Sequence, residues 1–370
     1  MKRLHIIDMD NVLHVGTKAG HSKNYNVASV PTGGIYNLIS TLRKHNIVSD
    51  PVNNPVIFVY DTGKSFRKEI YPAYKAHRKE KSNVELIRDR AVSLQKEITI
   101  KELLEKAGYM VLGKEGYEAD DLMFNIVLHF ACLPDQPLTK GELSIHLHTS
   151  DEDWVGAMGL APNIYLEATV NSSKLNQTGN YYEFTKVTGE RVEDCYLKRA
   201  IYGDNDGYDG FGKTYRETLQ RTTNEIYHLE EAQEYFYQRY WDRLFWIELY
   251  NKYYSGYPEL LEEMTVQTNL AFPIYMEELF NANLGEYLNR QIDINVYGEF
   301  TDLLRIKTLE RILGKLNPYS EQHAKALEYL KQEYANKYSD VFELYKNTEY
   351  LPELKITADQ VNDTFLRNQQ

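Results

Sequence analysis

The chain has 370 residues, 42% of them hydrophobic, with two cysteines and a formal net charge of −12. This is enough apolar sequence for a sizeable core, in two domains or one large domain with an appendage. Cys132 and Cys195 alone exclude a disulfide framework or a thiol zinc site, so any metal is expected on oxygen ligands. The acidic total excludes indiscriminate polyanion binding over the whole surface, though not a local basic groove.

Leu4 to Ile7 is a short apolar run that ends at Asp8-Met9-Asp10-Asn11, the pattern of a buried strand delivering acids at its carboxyl end. Asp8 comes too early for a signal sequence, and no later run approaches the roughly 18 apolar residues of a membrane span. The expectation is a cytoplasmic protein with no membrane partner. A helix is predicted after Pro31-Thr32-Gly33-Gly34, with Ile35, Leu38, Ile39 and Leu42 at helical spacing. Val56 to Tyr60 reads as a second strand, again ending in an acid, Asp61. Residues 84 to 107 read as helix and Tyr109 to Leu112 as a third strand. Glu118, Ala119, Asp120 and Asp121 then open a helical run through Met123, Ile126, Val127 and Phe130. Leu143 to His148 is a further strand, running into Thr149-Ser150-Asp151-Glu152-Asp153-Trp154, and Asn163 to Leu166 another. Beyond Cys195 the sequence turns polar, helical and Tyr-rich; those aromatics are assigned to packing. The last residues, 361 to 370, are expected to fray.

Strands alternating with helices at this spacing predict a parallel α/β sheet, whose ligands bind beyond the carboxyl ends of the strands. Asp8, Asp61, Asp151 and Asp153 converge there, and the helix opened by Glu118 starts at the same edge. Taken singly, each strand-end aspartate reads as a turn or capping residue, and the acids at 118 to 121 as helix capping. Together they suit hard divalent cations, Mg²⁺ or Mn²⁺, and two such ions would serve an in-line phosphoryl displacement. Charge distribution agrees: between Lys64 and Arg90 there are nine Lys or Arg against four acids, a basic segment able to contact phosphates.

These residues carry a resemblance. Ile6-Ile7-Asp8, Tyr60-Asp61 with Gly63 to Arg67, Tyr71-Pro72-Ala73-Tyr74-Lys75-Ala76-His77-Arg78, Gly116 to Asp121, Ser150 to Asp153, and Tyr202-Gly203-Asp204 leading to Gly210-Phe211-Gly212-Lys213-Thr214 resemble, in order, the motifs of the 5′-nuclease family. That family includes flap endonucleases, the 5′ to 3′ exonuclease domain of bacterial DNA polymerase I and stand-alone phage exonucleases. The resemblance covers about the first 215 residues. It implies a PIN-like parallel sheet flanked by helices, with a helical arch over about 64–90, a helix-hairpin-helix-like element and a mostly helical C-terminal region. The expected domains are 1–190, 191–300 and 301–370.

By the same resemblance, the metal ligands are Asp8, Asp61, Glu118, Asp120, Asp121, Asp151, Asp153 and Asp204. Lys75, Arg78 and Asp120 would be catalytic, with Lys75 and Arg78 sharing a helix face. Tyr74, Lys64, Arg67, Gly210, Gly212, Lys213 and Thr214 would bind substrate, the glycine-rich turn using backbone amides and offering a place for K⁺. The implied activity is Mg²⁺- or Mn²⁺-dependent hydrolysis at 5′ ends, flaps or junctions of DNA, including RNA primers in hybrids, by a stand-alone monomer of the phage kind in a bacterial cytoplasm. It points to replication or repair.

The sequence departs from the family at Gly207, where a second aspartate is usual, leaving Asp206 or Asp209 to serve the second ion. Gly207 to Thr214 also fits a P-loop letter for letter, but it follows an acidic cluster rather than a strand, and Asp209 would repel a triphosphate. An EF-hand at Asp204 fails at its sixth position, Asp209. Three rival functions stand beside this reading: a PIN-like endoribonuclease and, less favoured, a P-loop ATPase or a non-catalytic junction-binding protein.

Overall fold

The computed structural model describes residues 1–22, 26–27, 30–76, 81–131, 138, 140–168 and 179–180, then 195–196, 199, 203, 270–271, 273–274, 279, 284–288, 291–293, 317 and 319–334. They fall into two compact units, one built from Met1–Val12, Arg43–Lys81 and Met110–Gln291, the other from Leu13–Leu42, Ser82–Tyr109 and Ile292–Gln370. The expected domain boundaries at 190 and 300, Arg78, Asp204, Asp206, Asp209, the turn from Gly210 to Thr214 with its K⁺, and the Tyr-rich segment all lie outside the described residues.

The first unit holds a six-stranded sheet in the order β5-β4-β1-β6-β7-β8. The strands are β1 (Lys2–Asp8), β4 (Val56–Val59), β5 (Met110–Leu112), β6 (Leu143–Thr149), β7 (Ile164–Ala168) and β8 (Gly179–Asn180). The first five run parallel and β8 is antiparallel on the edge. The expected parallel α/β architecture is therefore present. Leu4, Ile6, Phe58, Ile145 and Leu147 have no exposed surface, as expected of β-branched and large apolar residues on strands covered on both faces. Helix α6 (Ala119–Ala131) buries Leu122, Met123, Ile126, Val127 and Phe130, the stripe read from the sequence. At the amino ends of the strands, the Tyr287 hydroxyl on the short helix Leu284–Tyr287 donates to the Val56 carbonyl at 2.5 Å, and the Lys2 ammonium to that of Leu288 at 2.9 Å.

The second unit takes most of α1 (Met9–Ser22), α2 (Gly33–Lys44), the small hairpin β2 (Asn26–Val27) with β3 (Val30–Pro31), and α4 (Asn83–Thr99). Ser82 caps α4 in a capping box with Glu85, satisfying amides that a helix start leaves free. The helix predicted over 84 to 107 is α4 continued through a π turn, Ile100–Leu104, into a last turn at Glu105–Ala107. Helix α1 has no counterpart among the predicted elements. Its acids read as a strand end, and that reading hid Met9, Val12, Leu13 and Gly16, which stand at helical spacing with the first three fully buried. Gln95 joins three helices: its side-chain amide donates to Thr17 Oγ1 at 2.9 Å, and its oxygen accepts from the Ile35 amide at 3.2 Å.

A Cβ on Gly16 would lie 2.4 Å from the Asn37 Cβ and 2.5 Å from the Gly33 carbonyl oxygen. Helices α1 and α2 can meet there only if residue 16 has no side chain. Gly16→Ala is expected to cost about 1–3 kcal/mol through overpacking, read as a lowered denaturant midpoint at unchanged m-value. An unshifted midpoint would mean that the two helices separate freely.

Candidate active site

Parallel pairing brings the carboxyl ends of β1, β4 and β6 to one edge, and each ends in or beside an aspartate. Asp8, 5% exposed, accepts the Asn11 amide on Oδ1 at 3.0 Å and the Thr149 hydroxyl on Oδ2 at 3.1 Å. Asn11 Oδ1 in turn accepts the backbone amide and hydroxyl of Ser150, at 3.0 and 2.9 Å. The ends of β1 and β6 are thus stitched together by side chains. Asp10 accepts the Asp61 amide at 2.8 Å, and Asp61 Oδ1 accepts the Ala119 amide at 2.6 Å. This last bond places a carboxylate on the first amide of α6, where the helix dipole favours negative charge.

Among the described residues, three acids meet. Asp120, Asp151 and Asp153 each offer a carboxylate oxygen, and these atoms lie within 4.8 Å of one another. Asp151 caps a 3₁₀ helix, Glu152–Leu160, accepting the Asp153 amide at 3.0 Å. The buried indole N–H of Trp154 fixes Asp120 at 2.6 Å, and Arg199 pairs with Asp153.

Crowding shows in the proton affinities. Burial, then Asp10, Asp61 and Asp151, push Asp8 well above the ordinary carboxylate range, against the pull of the Asn11 amide. Burial and Asp10 raise Asp61 to about 6. Asp120 is pushed well up by burial and by the charges of Asp151 and Asp153. Such a constellation resists ionisation until a cation enters it.

Glu118 and Asp121 belong to a different network. Arg67, 4% exposed, makes a bidentate pair with Asp121, both contacts at 2.9 Å, and reaches Glu118 at 2.9 Å. Asp121 is fully buried and also accepts the amides of Glu118 and Ile274, at 3.0 and 2.8 Å. Glu118 further accepts the Tyr74 hydroxyl at 3.0 Å and the Lys75 ammonium at 2.7 Å. Burial would raise Glu118, but Lys75 and Arg67 outweigh it and hold it at about 2.

Three expectations change accordingly. Arg67 is spent on a buried ion pair rather than offered to a phosphate. Tyr74, 2% exposed and packed on Leu270, presents no face for a base to stack on. Lys75 sits in a turn with φ 55° rather than in a helix; Arg78 lies outside the described residues. It nevertheless keeps its ammonium at the rim, 17% exposed beside Glu118. Lys64 is exposed and paired with Glu115.

Sequence reasoning assigns no role to Asp10, Asn11, Thr149, Trp154, Tyr196 or Arg199. Asp10 carries a local signal, standing two residues after Asp8 in a run already read as acidic. Arg199 and Tyr196, whose hydroxyl donates to the Asp153 carbonyl, lie more than 40 residues from the acids and have none.

Residues 3–183 match the family of the 5′-3′ exonuclease N-terminal, resolvase-like domain. Over these residues the chain resembles the 5′-nuclease family. It is similar to a 5′-3′ exonuclease of Mycoplasma genitalium, 30% identical over 122 residues, 33% of this chain and 36% of that protein. It is similar also to a 5′-3′ exonuclease of Bacillus subtilis, 28% identical over 189 residues, 50% of this chain and 56% of that protein. Both matches thus span less than two thirds of the relative's length. A looser likeness runs to the bacteriophage T5 flap endonuclease solved with DNA and metal ions, with TM-score 0.46 at 18% identity over 82% of this chain and 99% of that one.

Removing Arg67 takes the paired cation from fully buried Asp121 and leaves Glu118 with Lys75 and Tyr74, so Arg67→Ala should cost about 3–5 kcal/mol in chemical denaturation; a loss under 1 kcal/mol (roughly that of a surface pair) would mean that the network relaxes. Asp61 has the opposite linkage. Its folded value, about 6, exceeds the ordinary 3.8, so the native state holds a proton that the unfolded chain releases. In metal-free protein this group makes stability fall as pH rises from about 4 to about 6. Thermal unfolding in chelator should show that fall and saturating Mg²⁺ should reverse it; a flat profile in both buffers would contradict the crowded-acid geometry.

Proposed function

We propose that the chain is a divalent-metal-dependent 5′-nuclease that hydrolyses phosphodiester bonds at 5′ ends or flap junctions of DNA. The observation that carries this reading is the convergence of Asp8, Asp61, Asp120, Asp151 and Asp153 on one sheet edge, three of them within 4.8 Å. The donor set fits a hard cation: the ligands are carboxylate oxygens, they repel one another, and several hold protons against their ordinary preference. When bound, Mg²⁺ or Mn²⁺, as one ion or two, would supply Lewis acidity and neutralise charge at the scissile phosphate.

The protein's own groups do the rest. Asp120, Asp151 and Asp153 would form the central ligand set, with Asp8 and Asp61 beside them. Trp154 orients Asp120 through its indole N–H, and Asn11 and Thr149 orient Asp8. Arg67 holds Asp121 and Glu118, which fixes the start of α6 and hence the position of Asp120. Lys75 stands at the rim, its ammonium kept protonated against burial by the charge of Glu118. It is placed to exchange that partner for phosphate oxygens as negative charge builds on them. RNA primers in hybrids would be accepted through the same phosphate contacts.

The test is product mapping on an end-labelled 5′-flap DNA with and without Mg²⁺. Asp151→Asn should fold and yet leave no cleavage above background, whereas near-normal turnover would remove the acids from the chemistry. Lys75→Ala should lower kcat by about 10²–10³-fold with a smaller change in KM, the loss typical of one transition-state donor. Equal losses in binding and rate would make Lys75 an electrostatic anchor. Preference for a matched RNA flap would favour an endoribonuclease instead.

A further inference from the structure

A second group of metal-binding side chains lies on the sheet itself. His5 stands on β1 opposite His146 of β6 in the parallel register. His148 follows two residues along on the same face, and His45, just past the end of α2, is brought against them. His5 and His148 are each 1% exposed, while His45 is half-buried. Ring centroids are 5.1 Å apart for His5 and His148, 5.6 Å for His5 and His45, and 4.6 Å for His45 and His148. One ring nitrogen from each of the three lies within 4.8 Å of the others.

We propose that His5, His45 and His148 form a binding site for a borderline transition-metal ion, Zn²⁺ by preference, distinct from the carboxylate site. Three imidazoles on a tetrahedral zinc, with bonds of about 2.1 Å, place their ring centres roughly 5 Å apart, the spacing seen. Burial and the neighbouring histidines keep His5 near 3 and His148 well below the ordinary imidazole range, so their lone pairs carry no competing proton at neutral pH.

A hydrogen-bonded histidine cluster would be the simpler account, and one contact belongs to it: His5 Nδ1 and His148 Nε2 are 2.8 Å apart. That account leaves His5 Nε2 unexplained. Asn54 faces the ring, but this nitrogen is buried with no partner at hydrogen-bonding geometry, which is costly for a polar atom unless something binds it. Ligation uses that nitrogen, and His148 turns to release the shared bond. His146 lies beside His5, ring centroids 5.2 Å apart, held by Glu167 at 3.0 Å and Ser144 at 3.1 Å and stacked on Tyr165. Glu167 offsets the positive charge of Arg3 and Lys44, both close enough to act on the cluster. His45 leaves the fourth position open to water. The ion would tie β1 to β6 three residues before Asp8 and Asp151.

The full chain, stripped with chelator, is titrated with Zn²⁺ in excess Mg²⁺ by calorimetry, and with Co²⁺ alone by visible absorption. One Zn²⁺ per chain should bind and raise the Tm. His45→Ala, at a half-exposed position that tolerates truncation, should weaken binding at least tenfold and remove the Tm shift. His148→Gln should do the same, while Asp151→Asn should leave both unchanged. Zinc binding equal in wild type and His45→Ala, or binding lost with Asp151→Asn and kept in His45→Ala, would overturn the site; so would no binding at all.

Discussion

Like charges crowded at the end of a parallel sheet are the constraint that the rest of the first unit answers. Several carboxylates share one edge at separations where, in a medium less polar than water, mutual repulsion amounts to kcal/mol per pair. The fold pairs Asp153 with Arg199. It gives the others fixed donors: the Asn11 amide and Thr149 hydroxyl for Asp8, the Ala119 amide for Asp61, the Trp154 indole for Asp120 and the Asp153 amide for Asp151. These donors set direction and only partly offset the repulsion, so the edge stays primed for a cation.

The acids at the start of α6 illustrate how neighbouring residues acquire separate duties. Successive helix positions are turned by about 100°, so Asp120 faces Asp151 and Asp153, while Asp121 faces the protein and closes on Arg67. Glu118, before the first turn, stands between the two networks and accepts from Arg67, Tyr74 and Lys75. What reads along the chain as one acidic cluster is a ligand and a buried ion pair side by side. A buried pair of this kind is weak evidence for net stability; its value lies in setting where α6 begins.

Much of this is legible in the sequence because strand ends and helix starts carry local signals. Apolar runs that stop at Asp8, Asp61 and Asp151 mark both the strands and the edge at which their acids meet. The duties of Arg67 and Tyr74 are not legible, since each depends on contacts with residues about 200 positions away around Leu270. The backbone at Lys75 escapes prediction because a positive φ at a non-glycine residue has no sequence signature. The expectation of oxygen ligands alone overlooks the histidines: His5, His45 and His148 are separated by strand order rather than by any spacing that reads as a motif, and they meet only once β1 pairs with β6.

The strand order has a temporal side as well. β1 precedes both β4 and β6 in the chain and lies between them in the sheet. Asp8 and Asn11 at its end meet Thr149 and Ser150 through contacts that close about 140 residues of chain. Loops of that length close late, because their entropy must be lost before the contact is gained. During synthesis, a chain that has emerged only as far as β5 has Asp8 and Asp61 but neither Asp151 nor Asp153. The acidic edge is therefore incomplete until β6 and the acids that follow it have been made. Any chemistry that depends on that edge waits until the ribosome has passed β6.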